Sequence, residues 1–102
     1  MIQWDDDDDL SPEEVIDFGN GAECRIYDDD FKRWYLNDKL HRADGPAVEG
    51  ANGRKEWYIN DELHRTDGPA IEYADGRKYW YINGEEYTEE EFNQVKEVLW
   101  AI

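Results

Sequence analysis

Residues 41–61 read HRADGPAVEGANGRKEWYIND, and residues 64–84 read HRTDGPAIEYADGRKYWYING. The second stretch repeats the first at a shift of 23, which also aligns Trp34 with Trp57 and Trp80, and Asn37 with Asn60 and Asn83. A period of this length marks stacked supersecondary units, each too small to bury its apolar face alone. Asn52-Gly53 and Asp75-Gly76 sit between β-rich runs, a hairpin signal because these residues tolerate positive φ. Read as two-residue type I′ turns, they place Val48 opposite Trp57 and Ile71 opposite Trp80, on the face that carries Ile59 and Ile82. The other face then holds Ala47 with Tyr58 and Ala70 with Tyr81, flanked by Glu49, Glu56 and Glu72. Further turns fall at Asn37-Asp38, Asn60-Asp61 and Asn83-Gly84, reversing the chain into KLHR, ELHR and EEYT. The prediction is a mainly β (α+β) fold, an antiparallel hairpin meander of about 2.5 copies of the unit over residues 23–87.

Both flanks read as helical. In LSPEEVIDFGNG, Ser11 suits an N-cap, Pro12 the first helical position, Glu13 and Glu14 the positive helix end, and Gly19 a stop. Residues 1–22 are therefore expected to hold a short acidic helix. In TEEEFNQVKEVLWAI, residues 88–102, Thr88 and Glu91 form a capping box, and Phe92, Val95, Leu99 and Ile102 recur on one face. That helix is expected to close the open end of the sheet. Trp100 lies about 80° round from Phe92, at the edge of the packed face or free for a contact.

A chain of 102 residues is one domain, burying roughly 60–70% of the surface exposed when unfolded. Its 15% aromatic content separates it from a disordered acidic tail, despite a mean hydropathy of −1.04. The sequence lacks an apolar run of the ~20 residues needed to span a membrane, and MIQWDDDDDL lacks the regions of a signal peptide. The expectation is a soluble, cytoplasmic protein. Cys24 is the sole cysteine, which excludes an intrachain disulfide and suits a small buried hydrophobe. The net charge of −16 is unevenly spread. Residues 1–30 carry twelve acids against one base, residues 31–83 nine against nine, and residues 84–102 six against one.

The run WYIND, ELHR, a Gly-containing turn and a strand ending in ADG resembles the MORN repeat, a 23-residue hairpin unit. Its aromatic-x-Asn-Gly-x-x-His pattern is matched by Tyr58, Asn60 and His64, and the resemblance covers about residues 31–87. The HRxDGPA segment departs from that family's usual Gly-x-Gly and is similar to a variant repeat of small phage and large-virus proteins. MORN repeats serve as lipid- or protein-binding scaffolds, so the resemblance implies a binding surface rather than an activity.

His41 and His64 are each followed by Arg and then, two residues on, by Asp44 and Asp67, which invites a metal or acid–base reading. The third copy argues against it. Tyr87, Thr88 and Glu90 take the His, Arg and Asp positions, so the slot is expected to accept any flat ring packed near the Trp. Asp44 and Asp67 can cap their own D-G-P turns, with Pro46 and Pro69 fixing φ at strand starts. No nucleophile stands at a diagnostic spacing from a base, so no enzyme, cofactor or metal site is predicted.

The run Asp5, Asp6, Asp7, Asp8, Asp9 fails as an EF-hand loop, because Leu10 and Ile16 stand where Gly and Glu are required. It reads either as a solvating lead-in or, with Glu13, Glu14, Asp17, Asp28, Asp29 and Asp30, as an anionic surface aimed at a basic groove. Carboxylates displayed on a scaffold can occupy a cationic site that otherwise neutralises phosphates. The favoured expectation is a small acidic, phage-encoded inhibitor of a host nucleic-acid-binding or antiviral-defence protein, itself binding neither nucleic acid nor membrane. The alternative is a protein-binding scaffold using its aromatic sheet face, with Tyr58, Tyr81 or Trp100 as contacts and the acidic ends conferring solubility.

Overall fold

Four two-residue reversals set the architecture: Asn20-Gly21, Asn37-Asp38, Asn60-Asp61 and Asn83-Gly84, each with positive φ at both residues. This is the type I′ geometry, whose twist matches that of the strands it joins. A computed structural model describes residues 12–27, 31–50 and 52–101, with side chains as far as Val98. The strands are β1 (Glu14–Gly19), β2 (Ala22–Tyr27), β3 (Phe31–Leu36), β4 (Lys39–Leu40), β5 (Val48–Glu49) and β6 (Lys55–Glu56). They continue as β7 (Tyr58–Ile59), β8 (Glu62–Leu63), β9 (Ile71–Glu72), β10 (Lys78–Ile82) and β11 (Glu85–Tyr87), followed by helix α1 (Glu89–Ala101). One antiparallel sheet runs in the order β1-β2-β3-β5-β6-β9-β10-β11, with β4 beside β3, while β7 and β8 form a separate ladder. The fold is thus mainly antiparallel β with a C-terminal helix, as predicted.

The Gly53 and Gly76 turns differ from the prediction by one residue, and that residue changes which side chains share a face. Only Gly53 and Gly76 have positive φ there, at 94° and 96°; Asn52 and Asp75 do not. A type I′ turn requires both. The Gly53 amide bonds to the Gly50 carbonyl and the Gly50 amide to the Arg54 carbonyl, with the same pattern at Gly76, Tyr73 and Arg77. Each is a three-residue loop, a type I turn closed by a glycine bulge. Val48 therefore pairs with Glu56 and Ile71 with Tyr79, not with Trp57 and Trp80. Because side chains alternate along a strand, this register moves Val48 and Ile71 off the Trp face and brings Ala47 and Ala70 onto it, from the face where they were expected.

The expected N-terminal helix is also corrected. Glu14–Gly19 is a strand paired with β2, and the Asn20-Gly21 turn that joins them outcompetes the helix-stop reading of Gly19. Val15, Ile16 and Phe18 favour extended backbone, and pairing satisfies peptide groups that so short a helix would leave open. Ser11 lies outside the described residues. A Cβ at Gly21 would stand 2.1 Å from Asn37 Oδ1, so a side chain there requires the Asn37 amide to move and a left-handed backbone as well.

At the other end, Thr88 and Glu91 exchange the predicted bonds, the Glu91 amide donating to Thr88 Oγ1 at 3.1 Å and the Thr88 amide to Glu91 Oε1 at 3.0 Å. Phe92 is 1% exposed and Val95 half-buried, as the stripe requires, whereas Val98 faces solvent. Among the described residues the buried apolar side chains are few: Cys24, Ala47, Val48, Ala70, Ile82 and Phe92. Trp34 bonds to the Ala47 carbonyl and Trp57 to the Ala70 carbonyl through their amides, so in register each Ala is a fully buried spacer beside an indole.

Gly76 has open space around its α-carbon, so its requirement is purely conformational. Gly76→Ala is expected to cost about 1 kcal/mol, and Gly76→Asn less, because Asn tolerates the left-handed region. Urea unfolding with an unchanged m-value is the check.

Candidate interaction surface

The sheet has two chemically different faces. On one, Arg42 lies over the Trp34 ring at 3.9 Å and Arg65 over Trp57 at 3.8 Å. Arg65 donates through Nε to Asp67 (2.8 Å) and through Nη1 to the Pro69 carbonyl (3.0 Å) and Glu72 (3.1 Å). Arg42 makes the same three contacts with Asp44, Pro46 and Glu49. Each arginine folds its HRxDGPA loop over an indole and ties the loop to the next strand. Asp44 and Asp67 hold these guanidinium groups instead of forming the expected cap of their own turn.

The ring slot also asks more than the sequence suggested. His41 Nδ1 accepts from the Asn60 amide at 3.2 Å, and His64 Nδ1 from the Asn83 amide at 2.9 Å. The imidazoles connect each loop to the next hairpin tip. Tyr87 has no following unit to serve, which explains why a ring without that acceptor suffices there. Cys24 is buried on the same face, and burial pushes its thiol up despite the opposing influence of Lys32 and Arg42. It packs; it is not an activated thiol.

The opposite face gathers Tyr27, Phe31, Tyr35, Tyr58, Tyr73, Tyr79 and Tyr81, all half-buried. Its members follow from the pairs Glu23↔Tyr35, Tyr27↔Phe31, Arg33↔Val48, Val48↔Glu56 and Ile71↔Tyr79. Six of the seven tyrosines lie here, and Tyr73 meets Tyr79 edge-on at 5.9 Å. Arginines lie on the rings: Arg25 over Tyr35 at 3.9 Å, Arg33 over Phe31 at 4.9 Å and Arg77 over Tyr73 at 4.5 Å. The buried Nε of Arg33 meets no hydrogen-bond partner, and its guanidinium is held by ring faces.

Glu56 is 5% exposed, opposite Val48, and is held by an Arg54 ion pair. Tyr58 lies beside it. Burial first, and then the Glu56 carboxylate as charge and hydrogen-bond partner, push the Tyr58 hydroxyl up to about 12.

The predicted contacts divide. Tyr58 and Tyr81 lie on the tyrosine face; Trp100 lies in α1, and its side chain is outside the described residues, as are Asp5–Asp9 and Asp28–Asp30. Glu14 and Asp17 both stand on β1 but on opposite faces, Glu14 paired with Ile26 and Asp17 with Glu23. They do not form one patch. Asp17 is exposed and accepts from the Gly19 amide at 2.8 Å. The sequence reading missed Tyr27, Tyr35, Tyr73, Tyr79 and the arginines over them. The alternation of Tyr79 with Tyr81, and of Arg25 with Tyr27, was the available signal.

No helix among the described residues is long and apolar enough to cross a membrane, and no three metal-ligating side chains among them are grouped to hold a cation. No family model matches the chain, and neither curated proteins nor solved structures give a match.

Two outcomes are expected. Tyr58 is raised in the folded state, so its contribution to stability is present below about pH 10 and is lost as pH rises through about 12. Unfolding measured across that window should show a shallower loss for Tyr58→Phe. Arg65→Ala should cost about 2 kcal/mol in urea unfolding, and Arg65→Lys should recover less than half, because an ammonium cannot stack and fork at once.

Proposed function

We propose that this protein is a binding protein without chemistry of its own: a small acidic, phage-encoded inhibitor that docks on a host nucleic-acid-binding or antiviral-defence protein and blocks it. An anti-CRISPR or anti-restriction factor is the type intended. The observation that carries the reading is the tyrosine face, where six tyrosines and Phe31 are interleaved with arginines on one half-buried surface. Tyrosine and arginine dominate protein–protein hot spots, because a large ring fixed by two torsions gains contact area at small entropic cost. The partner's character follows from the net charge of −16, which favours a basic surface and repels phosphates and anionic lipid. The resemblance of residues 31–87 to MORN-type units, in the variant HRxDGPA form of small viral proteins, supports both a scaffold role and a viral source. In this reading the acidic segments, Asp5–Asp9 and Asp28–Asp30 included, steer the encounter and the tyrosine face holds the complex.

A second reading rests on the split of Glu14 from Asp17 across β1. There the acids only confer solubility, and the tyrosine face works as a scaffold for a partner of any charge. Capture from host lysate with the full chain separates the two. Under inhibition of a basic partner, replacing Asp5–Asp9 and Asp28–Asp30 by Asn slows association several-fold. Raising salt beyond about 0.5 M, where the Debye length is a few ångströms, then weakens capture, and nucleic acid competes. Tyr58→Ala with Tyr81→Ala should abolish capture under either reading. Salt-independent capture, unaffected by the Asn changes, leaves the scaffold reading standing. Capture that survives loss of both tyrosines overturns the tyrosine face.

A further inference from the structure

The Trp face has an open groove of about 810 Å³ between the loops at Arg42–Gly45 and Arg65–Asp67, floored by Trp57 and Ile59. Twenty-three residues on, the equivalent place is filled by the chain itself. Ile82, the counterpart of Ile59, is 5% exposed, and Phe92 of α1 is 1% exposed where the helix crosses β10 and β11. Lys96 and Glu97 of that helix share a cleft with Thr66 and Asp67 of the second loop, and of the two only the lysine complements Asp67. Ile59 has no such cover and is only half-buried. The third unit thus displays the occupant that the second lacks: a helix presenting an aromatic knob to the groove and a lysine to its rim.

Charge decides which helix fits. Each loop arginine is held by two carboxylates, Arg42 by Asp44 and Glu49 and Arg65 by Asp67 and Glu72, so each loop unit retains one net negative charge. Asp44 and Asp67 stand on the rim with side chains 88% and 73% exposed. A second copy's α1 is a poor occupant, since its first turn is Glu89, Glu90, Glu91. We propose that this groove docks a basic amphipathic helix of a partner protein, with an aromatic or large aliphatic residue against Trp57 and Ile59 and cations at Asp44 and Asp67. This surface lies opposite the tyrosine face and stands independently of it.

The test titrates the isotopically labelled full chain with a 15-residue peptide of the residue 88–102 sequence in which Glu89, Glu90, Glu91 and Glu97 are replaced by Lys. Chemical-shift changes should concentrate at Trp57, Ile59 and His64. Binding should weaken about tenfold when Asp44→Asn and Asp67→Asn are combined, changes that leave Glu49 and Glu72 on the arginines. Thr66→Trp, filling the groove from its rim, should abolish it. Should that variant fail to fold, the Asn pair and a scrambled peptide of identical composition still decide. Equal binding by the scrambled peptide, shifts centred on Ile82 and Phe92 or on the tyrosines, or no shift at millimolar peptide each overturn the proposal. Because neither the host partner nor the tyrosines take part, failure here is distinct from failure of the inhibitor reading.

Discussion

The stacking of a loop arginine on a strand tryptophan is the contact on which the rest of this molecule depends. A single sheet of short strands has no second layer to cover its apolar face, and the described core holds only six apolar side chains. Arg42 and Arg65 answer this by laying methylene stem and guanidinium over Trp34 and Trp57, drawing the loop down as a lid. Three donors leave each guanidinium, two to carboxylates and one to a proline carbonyl, so the charge under the lid is neutralised where it sits. An ammonium could supply the charge but not the plane.

Everything next to the stack is fitted to it. Ala47 and Ala70 are fully buried because they stand beside the indoles, where a larger side chain would meet a ring. The His that precedes each Arg links the loop to the next hairpin tip, and Asp61 does the same from the other side, accepting from the Leu40 amide at 2.6 Å. The arginine and histidine contacts recur 23 residues apart in the same atoms, while Gly84 has no carboxylate to repeat that of Asp61. At the end of the series the chain changes solution and covers Ile82 with α1.

This economy leaves the opposite face available. With the loops and the helix all on the Trp side, the tyrosines and their arginines pack on one another rather than under another layer. Glu56 is the exception, a buried carboxylate that adds to the effect of burial in raising Tyr58 and is itself paired with Arg54. The carboxylate is buried while the Arg54 side chain is 45% exposed, so the pair neutralises Glu56 without burying a second charge. It fixes the centre of the surface on which binding is proposed.

The sequence by itself determined the hairpin series, the Asn-x turns at residues 37, 60 and 83, and the Thr88–Glu91 cap, because each depends on backbone preferences confined to a few neighbouring residues. The repeat also suggested His41 and His64 as rings with a packing role, since Tyr87 stands in their place, but not the bonds that their Nδ1 atoms accept from the Asn60 and Asn83 amides. What only the tertiary structure decided was register and face. Asn52-Gly53 is compatible with a two-residue or a three-residue loop, and the choice rests on one φ angle at Asn52, which no local preference settles. That single residue moved Val48 and Ile71 to the tyrosine side and Ala47 and Ala70 to the indoles. At the N-terminus, Pro-Glu-Glu favoured a helix locally, but Val15–Phe18 found a neighbour in β2, and pairing between segments overrode the propensity of the segment alone. The arginine stacks were illegible for the same reason: Arg42 meets Trp34 across a hairpin, and sequence spacing carries no signal of a ring eight residues away lying beneath a guanidinium.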